Sequence, residues 1–148
     1  SIVAIVHYSY GGHEWSYLVL CSAISVAASD TLASEIGSLD PRTRIITTLE
    51  AVPAGTNGGM SPTGTLAAFY GALLIATVST VLGAINGDGT QPAFLFTTVI
   101  VIGWVGCQVD SILGALLENR GYLGKHSVNF LSTFAGAIIA LGAAMRFL

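Results

Sequence analysis

Residues 63–83 read TGTLAAFYGALLIATVSTVLG and contain no charged side chain. A helix needs about 20 mostly apolar residues to cross the hydrocarbon core of a bilayer, so this stretch predicts a transmembrane helix. Residues 15–35, 93–117 and 128–148 have a similar length and character, with few charges in each. The sequence therefore predicts an all-α fold, a polytopic bundle of four transmembrane helices that forms one domain over residues 1–148.

The composition supports this class and excludes two others. Hydrophobic residues make up 53% of the chain and charged residues 9%, with a mean hydropathy of +0.75, whereas soluble domains carry about 25% charged residues. Five Lys and Arg against eight Asp and Glu provide no basic surface for a nucleic acid. The high apolar content and the net charge of −3 exclude intrinsic disorder. Cys21 and Cys107 lack the spacing of a metal motif.

The first eight residues, SIVAIVHY, are apolar but too short to span a membrane. They lack the basic start and the small-residue cleavage site of a signal peptide. We interpret them as a short helix remnant, the end of a helix that begins upstream. The chain is then expected to be the C-terminal part of a longer membrane domain.

The basic residues predict an orientation. Four of the five lie in two predicted loops: Arg42, Arg44, Arg120 and Lys125. Those loops, 36–62 and 118–127, would lie on the same side, while the opposite loops, 9–14 and 84–92, contain no Lys or Arg. Basic loops normally face the cytoplasm, so this side is predicted to be cytoplasmic or its equivalent in an organelle. Contact with phosphates or lipid headgroups is the alternative role of these four residues.

Two aspartates are the sharpest candidates for a functional role. Asp30 and Asp110 lie inside predicted spans, near the ends that lead into the basic loops. A carboxylate at the bilayer centre costs about 2.5–3.5 kcal/mol, so acids in spans usually have a function. Small residues accompany them at spacings of three and four: Ala23, Ala27 and Ser34 with Asp30, and Gly103, Gly106 and Gly114 with Asp110. Because such spacings define one helix face, both acids should face the bundle interior, for metal ligation, proton handling or a structural hydrogen bond.

A weak internal repeat connects these positions. The dipeptide Asp30-Thr31 in the first span is matched by Asp110-Ser111 in the third. An Asn with a Gly seven residues later occurs near the start of the second and fourth spans: Asn57 with Gly64, and Asn129 with Gly136. Two helix pairs would then form a parallel repeat, and the two Asp and two Asn side chains would converge at one membrane face. At the start of the fourth span, Asn129 is either a helix cap or a ligand contact.

Residues 53–65 read PAGTNGGMSPTGT and lead into the second span. A Gly-rich turn before a helix presents free N–H groups, which attract phosphate. No Lys stands in a Walker A frame, so the stretch is not a P-loop. Phosphate binding and a flexible turn with tight helix packing therefore both stay open. Glu35, about 140° around a helix from Asp30, is either a ligand, if that helix ends near Gly37, or a solvated helix end.

Four motifs together carry a family resemblance. They are SDTLASEIG at 29–37, PAGTNGGMS at 53–61 with GTLA at 64–67, DSILGA at 110–115, and VNFLST at 128–133. In this order they resemble an integral-membrane family that includes phytyl-phosphate kinase of plants and cyanobacteria and transmembrane protein 19 of animals. Members of that family continue further at the N-terminus, with additional helices.

The resemblance implies phosphoryl transfer from a nucleoside triphosphate, with CTP as the expected donor, to an isoprenoid monophosphate. Since Mg²⁺ prefers carboxylate and phosphate oxygens, Asp30 and Asp110 would be catalytic and would bind Mg²⁺ together with Glu35. The candidate nucleotide- and phosphate-binding residues are Gly55, Thr56, Asn57, Gly58, Gly59, Ser61, Ser111 and Asn129. Membrane lipids and a second copy of the chain, in a homo-oligomer, are the other candidate partners. A bacterial or archaeal plasma membrane or an organelle such as the chloroplast envelope is the expected location.

Two other classes of function compete with this reading. An ion- or proton-coupled transporter would also use intramembrane Asp30 and Asp110. Its acids would be expected near the membrane midplane, whereas these lie toward one face beside basic loops. A purely structural subunit would leave the two Asp-bearing stripes unexplained.

Overall fold

The computed structural model describes residues 14–147, so the predicted helix remnant at residues 1–8 lies outside the described residues. Four long helices occupy this part of the chain: α1 (Glu14–Gly37), α2 (Pro62–Asn86), α3 (Pro92–Leu113) and α4 (Lys125–Phe147). A π-helical turn, Gly114–Glu118, prolongs α3. All four are long and apolar enough to cross a membrane, which confirms the predicted polytopic helical fold.

The ends of α2 follow from its local sequence. Ser61 is extended, with φ −127° and ψ 156°, and its hydroxyl accepts a hydrogen bond from Gly64 N. Pro62 then begins the helix, where its missing N–H group has no consequence. At the other end Gly87 has a φ of 72°, and the left-handed backbone of this glycine terminates the helix.

The central helix is α1, which packs against each of the other three helices. Its buried face contains Ser22, Ser25 and Ser29, each 0% exposed. The stripe predicted to face the interior is buried only in part, because Ala23 and Asp30 are half-buried whereas Ala27 and Ser34 are exposed. Alanine and serine are both small enough for close packing, so spacing alone did not distinguish the two faces.

The glycine stripe of α3, by contrast, lies where it was predicted. Gly103 and Gly106 are buried, and a Cβ at either position would collide with Ser25 or Val26 of α1. Because glycine has no Cβ atom, the backbones of α1 and α3 can approach each other closely at these positions. The outer surface of the bundle exposes large apolar side chains, including Leu74 and Ile138, as a lipid-facing surface requires.

A small hairpin interrupts the connection between α1 and α2. Strands β1 (Arg44–Ile45) and β2 (Gly59–Met60) pair antiparallel, with Arg44 opposite Met60 and Ile45 opposite Gly59. The sequence indicated only a Gly-rich turn here. Because the pairing joins residues some fifteen positions apart, local sequence did not reveal it.

Candidate active site at one end of the bundle

A cavity of about 270 Å³ lies where α1 and α3 end and where α2 and α4 begin. The hairpin loop forms part of its wall. All eleven candidate residues from the sequence line it: Asp30, Glu35, Gly55, Thr56, Asn57, Gly58, Gly59, Ser61, Asp110, Ser111 and Asn129. The structure thus brings the candidate residues together, while their chemical roles remain predictions.

Asp30 and Asp110 meet in this cavity from two different helices. Their carboxyl groups lie within hydrogen-bonding reach of each other, and both side chains are half-buried. Two carboxylates in contact repel each other unless a proton or a cation lies between them. The pair is therefore suited to hold a positive charge.

The first turns of α4 hold Asp110 in place. Ser132 Oγ donates to Asp110 Oδ1 at 2.8 Å, and Ser132 is 1% exposed. With its amide oriented to suit its neighbours, Asn129 donates from Nδ2 to the same oxygen at 3.2 Å and to Lys125 O at 3.1 Å. Asn129 therefore positions the carboxylate of Asp110, and phosphate binding by Asn129 stays untested.

The Gly-rich loop packs tightly on the π-helical turn at the end of α3. Gly58 has a φ of 70°, and a Cβ there would lie 2.5 Å from Ala115 N. Asn57 Nδ2 donates to Glu118 Oε1 at 2.8 Å, and Asn119 Nδ2 donates to Asn57 O at 2.9 Å. These two bonds fix the loop against α3, and the Asn57 amide is already engaged by the protein.

The prediction of free N–H groups at the start of α2 was wrong. Gly64 N donates to Ser61 Oγ at 3.1 Å, and Thr63 N donates to Asp40 Oδ2 at 3.3 Å. Within the loop, Thr56 N and Gly59 N are also engaged, by carbonyl oxygens of the same loop. Because caps satisfy these donors, a phosphate at this wall would find fewer N–H groups than the sequence suggested.

Asp40 joins the hairpin to α2. Its carboxylate accepts from Arg42 Nε and NH2, both at 2.9 Å, and from Thr63 Oγ1 at 2.9 Å. The Arg42 guanidinium, together with the Arg42 and Thr63 donors, holds the pKa of the Asp40 carboxyl well below its usual range. The Asp40 side chain is 3% exposed, whereas the Arg42 side chain is 66% exposed. This ionic link is therefore a half-buried brace under the cavity wall.

The donor set fits Mg²⁺. Asp30 and Asp110 offer carboxylate oxygens, and Ser111 adds a hydroxyl in the same cavity. Hard oxygen donors of this kind suit Mg²⁺, which is commonly held by one or two carboxylates together with substrate phosphates. Glu35 lines the cavity but is exposed on the last turn of α1. Within residues 14–147, no group of three or more His, Cys, Asp or Glu is placed to hold a metal, so ligation by Glu35 stays a prediction.

Several lining residues were missed from the sequence. They include Thr43, Gln108 and Glu118. Lys125, for which the sequence left topology and phosphate contact both open, also lines the cavity, and its spacing of four from Asn129 places both on one face of α4. Glu118 had no signal in the sequence, because its partner Asn57 is 61 residues away.

The repeat is reproduced only in part. Asp30 and Asp110 occupy corresponding ends of α1 and α3 and meet in the cavity. Asn57, however, lies in the loop before α2, whereas Asn129 lies inside the first turns of α4. The two Asn residues are therefore not structurally equivalent, although both line the cavity.

The fold and the site define a polytopic integral membrane protein with an acidic cavity near one membrane face. Residues 1–137 match the family described as integral membrane protein DUF92, and the chain belongs to this family. This membership is consistent with the resemblance predicted from the motifs. No solved structure matches the chain.

Relatives occur in bacteria, archaea and plants. The chain is 37% identical over 130 residues to uncharacterized membrane protein sll0875 of Synechocystis. This match covers 86% of the chain and 48% of sll0875. The chain is 35% identical over 137 residues to uncharacterized membrane protein MJ0933 of Methanocaldococcus jannaschii, with 88% and 52% covered. Protein VTE6, chloroplastic, of Arabidopsis thaliana is 31% identical over 141 residues, with 90% and 40% covered. The chain thus spans about half the length of the first two relatives.

Proposed function

We propose that the cavity is a site of phosphoryl transfer from a nucleoside triphosphate, with CTP as the expected donor, to an isoprenoid monophosphate. The products are an isoprenoid diphosphate and a nucleoside diphosphate. Membership of the family and the relationship to a chloroplast protein support a function connected with isoprenoid phosphates in a membrane.

One observation carries this proposal. Asp30 and Asp110, contributed by two helices, have their carboxyl groups within interaction range in a cavity that the Gly-rich loop and Lys125 also line. Phosphoryl transfer depends mainly on positioning and on neutralising charge around the phosphates. The cavity combines a carboxylate pair, a lysine and a loop at one end of the bundle. These groups could both position the phosphates and neutralise their charge.

The residues suggest how the reaction would be organised. Mg²⁺ held by Asp30 and Asp110 would neutralise charge on the phosphate oxygens. The acceptor is already a phosphate and is ionised at neutral pH, so its oxygen attacks the terminal phosphorus while the bond to the nucleoside diphosphate breaks. No strong general base is needed, and the apolar tail of the acceptor would lie among lipids or between helices.

A transporter remains the alternative, and the position of the cavity argues against it. The acids lie toward the end of the bundle, where the connecting loops line the cavity, whereas coupling sites in transporters lie near the bilayer midplane. Ion flux without nucleotide binding is the result that this alternative predicts.

The test measures transfer of label from [γ-³²P]CTP with Mg²⁺ in nanodiscs. Phytyl and geranylgeranyl monophosphate serve as acceptors, with free phytol as a control alcohol. The same assay is run on full-length sll0875 of Synechocystis, because this chain spans about half of that protein. We expect labelled isoprenoid diphosphate and no labelled product from phytol.

Absence of CTP binding and of transfer in both proteins would contradict the proposal. Cation or proton flux into liposomes, in the absence of nucleotide binding, would favour the transporter. Labelling of phytol instead of its phosphate would assign the cavity to an alcohol acceptor.

A further inference from the structure

The cavity is strongly acidic, and Lys125 is its one basic side chain among the described lining residues. Four acidic residues line the cavity among the described residues: Asp30, Glu35, Asp110 and Glu118. Phosphates are multiply negative and would be repelled by such a wall. A bound Mg²⁺ would offset two of these charges, and Lys125 is the further cation that the chain itself supplies.

Contacts of α4 orient Lys125 toward the carboxylates. Lys125, Asn129 and Ser132 follow one another at spacings of four and three, which places them on one face of a helix. Asn129 and Ser132 both bond Asp110 on α3. This face of α4 is therefore turned into the cavity, and Lys125 lies within electrostatic range of Asp30 and Asp110.

The ammonium group of Lys125 remains available for a ligand. In residues 14–147 the ion pair within 4.0 Å is that of Asp40 with Arg42, and the Lys125 side chain is exposed. The N–H groups at the start of α2, by contrast, are satisfied by Asp40 and Ser61. The cavity thus has a free cation on the side of α4, whereas the N–H donors at the start of α2 are already engaged.

We propose that Lys125 binds a substrate phosphate in this cavity, beside the Asp30–Asp110 pair. This inference rests on the proposed function and assigns the phosphate-binding role there to a residue of α4. A lysine forms charge-assisted hydrogen bonds to phosphate oxygens, which are stronger than neutral ones. The phosphate can be that of the nucleotide or that of the isoprenoid, and the kinetic arms below distinguish them.

The kinetic test compares Lys125→Gln, Lys125→Arg and Arg120→Gln. Arg120 is the matched control, because it is a basic residue of the loop that leads into α4 and does not line the cavity. We expect Lys125→Gln to raise KM for one phosphate substrate by about 10- to 100-fold, the range for loss of a charged hydrogen bond. A rise for CTP assigns the nucleotide, and a rise for phytyl monophosphate assigns the lipid. Lys125→Arg should restore most of the affinity, and Arg120→Gln should change either KM by less than about twofold.

A second measurement does not require activity. Lys125 is the one lysine of the sequence, so an amine-acylating reagent reports on it directly by mass spectrometry, with the N-terminal amine as the internal reference. Inorganic pyrophosphate with Mg²⁺ should slow acylation of Lys125 about tenfold and leave the N-terminal amine unaffected.

The outcomes separate this inference from the proposed function. Unchanged KM values in Lys125→Gln, or an equal loss in Arg120→Gln, would overturn the role of Lys125 even if transfer is observed. Pyrophosphate protection of Lys125, with neither CTP binding nor transfer in this chain and in full-length sll0875, would support the phosphate site and contradict the kinase. Unchanged acylation in the presence of pyrophosphate would overturn the phosphate site.

Discussion

The two ends of the bundle are formed by the same helices, but the segments that connect the helices differ in length and in the contacts that they make. At the cavity end, residues 38–61 form the hairpin and the Gly-rich loop, and Asp30 meets Asp110 from another helix. At the other end, residues 87–91 form a short turn in which Asp88 Oδ2 accepts from Thr90 N at 3.3 Å. Both ends thus contain acids and left-handed glycines. The comparison shows that convergence between helices, and not residue type, distinguishes a candidate active site from a turn.

The largest effect is expected from neutralising the paired acids. Asp30→Asn and Asp110→Asn should each lower phosphoryl transfer about 1000-fold or more, because Asn keeps the shape but cannot neutralise a metal ion. Thermal unfolding should remain cooperative and shift little or upward, since a desolvated charge is removed. Asp88→Asn, at the opposite end, is the matched control and should retain activity within about twofold. Equal losses at Asp88 and Asp110 would remove the functional difference between the two ends.

The next effect compares two glycines with nearly the same backbone. Gly58 has φ 70° and Gly87 has φ 72°, but a Cβ at Gly58 would meet Ala115, whereas nothing lies within 4 Å at Gly87. Alanine at either site is strained by about 1–3 kcal/mol. Gly58→Ala should also displace the loop and weaken CTP binding about tenfold, measured by calorimetry. Weakened CTP binding in Gly87→Ala as well would show that general destabilisation, and not the loop, causes the loss.

A smaller effect concerns the brace under the cavity wall. Asp40→Asn removes the ion pair with Arg42, so trypsin should cleave the hairpin after Arg42 or Arg44 faster at pH 7. Glu50→Gln is the control, since the Glu50 carboxylate lies 3.4 Å from Thr48 in the same connection and is exposed. Equal cleavage rates for wild type and Asp40→Asn would show that the brace does not hold the hairpin.

The brace should also depend on pH. Since the pKa of Asp40 is held below its ordinary value, its stabilising contribution is complete above about pH 4, the ordinary value for Asp. It is lost as the pH falls from there toward the lowered pKa. The thermal unfolding temperature of wild type should therefore approach that of Asp40→Asn below about pH 3. A constant difference between the two proteins down to pH 2 would contradict this assignment.

The smallest effect is expected in the middle of the bundle, away from both ends. Ser25 Oγ donates to Val99 O at 3.0 Å between α1 and α3, whereas the equally buried Ser22 Oγ has no hydrogen-bond partner among the described residues. Ser25→Ala should destabilise the protein by about 0.6 kcal/mol, a typical value for such bonds in membranes. Ser22→Ala should be neutral or slightly stabilising, as measured by unfolding in mixed detergent. A larger loss at Ser22 would indicate a partner for its hydroxyl.

Particular residues show how far the sequence predicted the site. Asp30 and Asp110 were found because a carboxylate in an apolar run is expensive and therefore informative. The packing face of α1 was predicted only in part, because Ala27 and Ser29 are both small and only the contact of Ser29 with Gly71 of α2 distinguishes them. Lys125 was undervalued, because a basic residue at a membrane edge also serves to set topology.

The sequence by itself determined the four spans, the hydrophobic outer surface and the presence of two intramembrane acids. These features follow from local composition, since the thickness of a bilayer fixes the length of apolar chain that can cross it. Only the tertiary structure decided that Asp30 and Asp110 come within interaction range and that Asn57 donates to Glu118. It also decided that Asp40 and Ser61 accept hydrogen bonds from the first N–H groups of α2. Most of those contacts join residues far apart in the chain, and they depend on how closely the helices approach at their small side chains, which no local pattern specifies.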